Sequence, residues 1–131
     1  MDCVECLAKE LDRLVSDCIV RLRTLSEKYR LNRRYRVASR LSGLAASLSD
    51  AWHPLHYCVH NPCTPEKILR YYGGFYNSLA NILYEDAIDI DYTSKFFEDA
   101  VKLATQLVLG LLCIGFNIEF NGVDDYVKVM E

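Results

Sequence analysis

Two groups of thiol and imidazole side chains are the residues of this chain best suited to chemistry. Cys3 and Cys6 form a C-x-x-C pair at the start of the sequence. Cys58 and Cys63 form a second pair near its middle, with one histidine inside the pair and another just before it. Because thiolates and imidazoles are the ligands that zinc prefers, the two groups could complete a four-ligand zinc site.

We expect a structural zinc ion at this site. The expected ligands are four thiolates: Cys3, Cys6, Cys58 and Cys63. His60 or His56 could replace one of the two later cysteines, since imidazole also binds zinc. A site closed by four protein ligands leaves no position for water or a substrate, so the metal would stabilise the fold. Disulfides and unbonded thiols are the alternatives that the spacing leaves open.

Catalytic uses of the same residues have less support. C-x-x-C is the pattern of a dithiol redox motif, but that motif follows a β-strand, whereas this pair opens the chain. Cys58 with His56 or His60 could act as nucleophile and base, yet no third residue to orient the histidine can be named. The sequence contains no Gly-rich phosphate loop, nucleophile elbow or paired-His helix. We therefore expect no enzymatic activity.

Four segments with the apolar spacing of helices must position these groups. Asp2 is the expected N-cap of the first helix, and Thr64-Pro65 is a strong start signal for the third. Three prolines place residues 53–64 in a loop, because proline ends helices. The predicted helices span Asp2–Tyr29, Arg33–Trp52, Pro65–Glu85 and, from a cap at Thr93 or Ser94, residues up to 115. The third should bury Ile68, Leu69, Tyr72, Tyr76, Leu79 and Leu83.

The predicted fold is a single domain, residues 1–131, of the all-α class. It is a four-helix bundle with a short C-terminal β-hairpin, since residues 116–129 alternate in polarity around Asn121-Gly122. The first two helices should be antiparallel because their connection is short. The loop at 53–64 would then lie beside Cys3 and Cys6.

A basic segment from Arg21 to Arg40 is the second feature of the sequence. It holds eight basic residues and one acidic residue, Glu27, with two tyrosines among them. Since arginines contact phosphates and aromatic rings stack on bases, the segment could bind nucleic acid. The candidate contacts are Arg30, Arg33, Arg34 and Arg36.

An ion-pair network is the interpretation that we favour for this segment. The turn between the third and fourth helices is acidic, and the bundle order places it at the same end as the basic turn. Its carboxylates belong to Glu85, Asp86, Asp89 and Asp91. Opposite charges on the two turns would then neutralise one another. The net charge of −3 gives no general reason to expect a polyanionic partner.

The fourth helix is apolar on nearly every side from Leu103 to Phe116. A four-helix monomer covers little more than half of each helix, so we expect a homodimer. The longest apolar run, Leu107 to Phe116, is too short to span a membrane, which needs about 20 residues. The sequence also starts without the basic residues of a signal peptide, so a soluble, cytoplasmic protein is expected.

The chain resembles, in overall character, small proteins encoded by viruses of hyperthermophilic archaea, such as Pyrobaculum spherical virus. The shared features are the Cys3/Cys6 and Cys58/His60/Cys63 set, a single glutamine and nine tyrosines. The resemblance implies a host-cytoplasm or virion setting and no particular activity. We predict a non-enzymatic helical interaction protein, stapled at one end by zinc or disulfides and self-associating. Nucleic-acid binding through Arg21 to Arg40 is the alternative, and no small-molecule substrate is indicated.

Overall fold

Four α-helices make up the computed structural model, which describes residues 3–115. They are α1 (Val4–Leu31), α2 (Tyr35–His60), α3 (Pro65–Leu83) and α4 (Ile90–Gly115). The predicted four-helix bundle is thereby confirmed. The hairpin predicted for residues 116–129 lies outside the described residues.

Successive helices pack against each other, and α4 closes the ring by packing against α1. Two hydrogen bonds show that α1 and α2 are antiparallel. The Trp52 indole N–H donates to a carboxylate oxygen of Asp12 (3.0 Å), and the Ser26 hydroxyl donates to the Ala38 carbonyl (2.6 Å). The start of α1 therefore lies at the same end of the bundle as the end of α2, as the sequence predicted.

Helix α2 continues through Pro54, which corrects the loop predicted for residues 53–64. Proline in a helix costs about 3 kcal/mol, because one backbone hydrogen bond is lost and the ring crowds the preceding turn. Here Leu55 and Cys58 lie in the core beyond the proline. Burial of a side chain of the size of leucine stabilises the fold by about 2 kcal/mol. The burial of Leu55 and Cys58 therefore offsets the cost of the proline. The connection to α3 is consequently only residues 61–64.

Helix α3 buries a different stripe from the one predicted. Ile68 and Leu79 are in the core as expected, but Phe75 and Ile82 join them, while Leu69 and Tyr76 are each 43% exposed. Phenylalanine can be enclosed completely, whereas a tyrosine must keep its hydroxyl paired or hydrated. The tyrosines of α3 accordingly lie at the edge of the core.

Three helix starts differ from those predicted, and the first difference is that α2 begins at Tyr35 instead of Arg33. The N-cap of α1 is Cys3 rather than Asp2, and its sulfur accepts a hydrogen bond from the backbone N–H of Cys6 (2.9 Å). Helix α4 begins at Ile90, where Asp89 accepts the N–H of Asp91 (3.1 Å) ahead of the predicted cap residues. The start of α3 is confirmed, since the Thr64 hydroxyl accepts the N–H of Lys67 (3.3 Å).

Most of the apolar surface near the end of α4 is covered within one chain, whereas Ile114 is 63% exposed. The buried residues are Leu107, Val108, Leu111, Leu112 and Cys113. The bundle therefore accounts for most, but not all, of the apolar surface from which a homodimer was inferred, and dimerisation stays a prediction. Among the helices of residues 3–115, none is long and apolar enough to cross a membrane.

Candidate functional sites at the two ends of the bundle

The four clustered cysteines form two disulfides, Cys3–Cys6 and Cys58–Cys63. The predicted zinc site is therefore wrong. Within residues 3–115, no group of three or more His, Cys, Asp or Glu side chains could hold a metal ion. The reason is local geometry: the Cα atoms are 5.1 Å apart in one pair and 5.5 Å in the other, well within the range that a disulfide bridges. Each cysteine therefore bonds to the other member of its own pair, and no thiolate of these four is left to bind zinc.

The two disulfides define the stapled end of the bundle, and their surroundings differ. Cys3 and Cys6 are both exposed at the start of α1. Cys58 is only 5% exposed and belongs to the core, and its bond to Cys63 joins the end of α2 to the chain that leads into α3. Of the two disulfides, only Cys58–Cys63 ties a helix to the segment that connects it to the next helix.

The two histidines proposed as substitute zinc ligands take part in ring packing instead. His56 stacks on Trp52 with ring centroids 5.3 Å apart, and the rings of His56 and His60 pack edge to face with centroids 5.6 Å apart. This row of rings runs along α2 towards a cavity of about 420 Å³ beside the disulfide. The cavity is lined in part by His60, Ile68 and Leu111.

At the opposite end, the turn between α1 and α2 has a defined backbone. Arg33 adopts the left-handed conformation with φ of 62°, and it is the only described residue other than glycine with a positive φ. The N–H of Arg33 donates to the Arg30 carbonyl (3.0 Å), and the N–H of Arg34 donates to the Tyr29 carbonyl (2.8 Å). This is the Schellman motif that commonly ends helices, in which glycine is the usual left-handed residue. An arginine there costs about 1 kcal/mol or more.

We define the basic end by the exposed side chains on and around this turn. Its cations are Arg23, Lys28, Arg33, Arg34 and Arg36, and its apolar members are Leu31 and Tyr35. Within the described part of the chain, none of these five cations forms a salt bridge with a carboxylate. The guanidinium of Arg34 lies over the Tyr29 ring, 5.4 Å from its centroid. Positive charge is thus left open to solvent here.

The predicted ion-pair network is reduced to one bridge between the two turns. Arg40 donates to both carboxylate oxygens of Glu85, at 2.9 and 3.2 Å. This hydrogen bonding lowers the pKa of Glu85 below its ordinary value and shows that the acidic and basic turns lie at the same end, as predicted. Arg30, a candidate nucleic-acid contact, pairs with Glu27 on its own helix.

The surface of the basic end is concave on the α1 side. A depression of about 600 Å³ is lined by Arg23, Thr24, Glu27, Lys28, Leu31 and Asn32. Leu31 is 69% exposed at its rim, and Tyr35, the first residue of α2, is 61% exposed. The sequence indicated the arginines but not the exposure of Leu31. It also gave no indication of the backbone strain at Arg33, because a positive φ can be anticipated from the sequence only where the residue is glycine.

Between the two ends, Cys18 forms part of a buried polar contact on α1. Burial raises the pKa of its thiol to about 11, although the hydrogen bond with Tyr92 and the charge of Arg21 act in the opposite direction. The guanidinium of Arg21 lies 3.9 Å from the centroid of the Tyr92 ring. Burial, followed by the interaction with Cys18, raises the pKa of Tyr92 as well. Cys18 is thus an unreactive thiol at neutral pH.

Comparison of the chain with protein-family models, curated proteins and solved structures finds no match. The viral resemblance, the hyperthermophilic source and the cytoplasmic location accordingly stay predictions. Function must be inferred from the geometry of the two ends.

Proposed function

We propose that this protein is a binding protein whose basic end contacts nucleic acid. The observation that carries the proposal is the exposed cluster of five cations, which have no carboxylate partner among residues 3–115. Had the cluster served only to stabilise the fold, its arginines would be expected to pair with the acidic turn beside them. Only Arg40 does so.

The strained turn adds a second, independent support. Glycine at position 33 would remove the cost of the left-handed conformation without altering any backbone hydrogen bond of the turn. Strain that persists at one residue is often found where a side chain has a function. Arg33 projects a guanidinium from this turn beside two further arginines, which suits bidentate contacts with phosphate oxygens.

The charge distribution would orient the protein on a polyanion. The whole chain carries a net charge of −3, yet the segment from Arg21 to Arg40 holds eight of its 15 basic residues and a single acidic one. Phosphates would be attracted to the α1–α2 side of this end and repelled by the acidic turn beside it and by the other acidic surfaces. Tyr35 offers an exposed ring for stacking on an unpaired base, which favours single-stranded over duplex ligands. The helical bundle supplies a rigid support for this surface.

Fluorescence anisotropy with labelled single strands and duplexes tests the proposal. The triple variant Arg33→Gln, Arg34→Gln, Arg36→Gln should bind at least about tenfold more weakly than the native protein. The slope of log affinity against log salt should fall by about 2, since each phosphate contact contributes about 0.7 for single strands. The matched control replaces three exposed cations elsewhere with glutamine: Lys67, Arg70 and Lys102. Equal affinities for the two triple variants, or no binding by the native protein at 100 mM salt, would refute the proposal.

A further inference from the structure

We infer that Cys3–Cys6 is a reversible redox site, which exchanges with dithiols and disulfides, while Cys58–Cys63 is a permanent cross-link. The inference does not depend on nucleic-acid binding, because it concerns the opposite end of the bundle. It rests on access to the sulfur atoms, on the hydrogen bond at the start of α1, and on what each disulfide holds together.

Access distinguishes the two disulfides. Thiol–disulfide exchange begins when a thiolate attacks a sulfur atom in line with the bond that breaks, so the sulfur must be reachable. Both Cys3 and Cys6 are exposed. Cys58 is buried among core residues and Cys63 is half-buried beside it. An incoming thiolate can therefore approach the first disulfide and is hindered at the second.

The start of α1 favours a thiolate on Cys3. As the N-cap, its sulfur already accepts the N–H of Cys6 at 2.9 Å, and it lies at the positive end of a helix of 28 residues. Helix N-termini stabilise cysteine thiolates for this reason. Glu5 in the first turn opposes the effect, but its side chain is exposed, where solvent screens its charge. Cys3 is thus assigned as the attacking sulfur and Cys6 as the resolving one.

Opening the Cys3–Cys6 bond leaves the fold intact. The ring that it closes lies within the first turn of one helix, and the N–H of Leu7 continues to donate to the Cys3 carbonyl at 3.0 Å. Leu7 and Leu11 hold this turn to the core. In contrast, Cys58–Cys63 ties α2 to the entry of α3. Only the first disulfide can therefore open and close without rearranging the bundle.

The exchange balances as two successive displacements. In the reduced protein, the Cys3 thiolate attacks one sulfur of a partner disulfide, whose S–S bond breaks, and the other partner sulfur leaves as a thiolate. The Cys6 thiolate then attacks the sulfur of Cys3 in this mixed disulfide. The Cys3–Cys6 bond re-forms, and the second partner sulfur leaves as a thiolate. The partner gains two electrons, which the protein dithiol supplies, and each released thiolate takes a proton from solvent. A partner dithiol drives the reverse reaction.

Titration of the whole protein in glutathione redox buffers tests the inference, with alkylation and peptide mass analysis as the readout. Cys3 and Cys6 should be alkylated under conditions in which Cys58–Cys63 stays closed. The two equilibrium constants should differ by at least about tenfold, equivalent to about 30 mV. Helicity should be unchanged in the half-reduced form. Simultaneous opening of both disulfides, earlier opening of Cys58–Cys63, or loss of helicity would overturn the inference.

Single-cysteine variants test the assignment of roles. With Cys6→Ser, glutathione disulfide should trap one glutathione on Cys3. With Cys3→Ser, the reaction at Cys6 should be at least about tenfold slower. Cys18→Ala is the control and should leave both rates unchanged, because that thiol is buried. Equal rates for the two variants, or no mixed disulfide on Cys3, would contradict the assignment.

Discussion

The stapled end and the basic end are fixed by different forces. Two covalent bonds hold the stapled end, and a row of aromatic and imidazole rings packs behind one of them. At the basic end, the α1–α2 turn is held by backbone hydrogen bonds, and Arg40 and Glu85 form one ion pair to the neighbouring turn. α1 has 28 residues, so about 40 Å separates the two ends. Changes at one end should therefore leave the other unaffected.

Removal of the Cys58–Cys63 disulfide should have the largest effect on stability. Cys58→Ala with Cys63→Ala should lower the free energy of unfolding by about 3–4 kcal/mol, because a constraint on the unfolded chain is lost and a buried side chain is truncated. Denaturant unfolding measures the loss. Cys3→Ala with Cys6→Ala is the matched control and should cost about 2 kcal/mol or less. A larger loss in the control would reverse the assignment of structural and exchangeable disulfides. Nucleic-acid affinity should be unchanged in both.

Alkaline pH should destabilise the bundle through Cys18, which lies between the two ends. The pKa of Cys18 is raised to about 11 from an ordinary value of 9.0, so the folded state favours the neutral thiol. The neutral thiol therefore makes its full contribution to the free energy of unfolding below about pH 9. This contribution, about 2–3 kcal/mol in total, is lost as the pH rises towards and through 11. The difference in unfolding free energy between the native protein and Cys18→Ala should shrink over this interval. A constant difference would mean that the thiol is not buried as described.

The ion pair between Arg40 on α2 and Glu85 on the α3–α4 turn should make only a small contribution to stability, because the guanidinium is exposed and solvent screens its charge. Arg40→Gln should lose this contribution near neutral pH, and a smaller one in high salt. The pKa of Glu85 is lowered in the folded state, so the contribution is present above the ordinary carboxyl range and is lost as the pH falls through the lowered value. Arg13→Gln, which breaks pairs within α1 only, is the control and should cost less stability than Arg40→Gln.

The sequence predicted the bundle and the placement of charges at its ends, because both follow from apolar spacing and chain order. It could not separate zinc from disulfides, since C-x-x-C spacing suits either and the outcome depends on Cα separations. It also placed residues 53–60 outside the helix, because the penalty of Pro54 is visible in the sequence while the burial of Leu55 and Cys58 is not. The strain at Arg33 had no signal at all.

Arg33→Gly is the substitution that tests the function of the basic end most directly. We expect unfolding to cost about 0.5–1 kcal/mol more than in the native protein, because the left-handed conformation suits glycine. Affinity for a labelled single strand should nevertheless fall about threefold or more, since a phosphate contact is lost. Arg33→Ala should lose the same affinity without the gain in stability. If Arg33→Gly is stabilised and binds as tightly as the native protein, the arginine is not retained for binding nucleic acid.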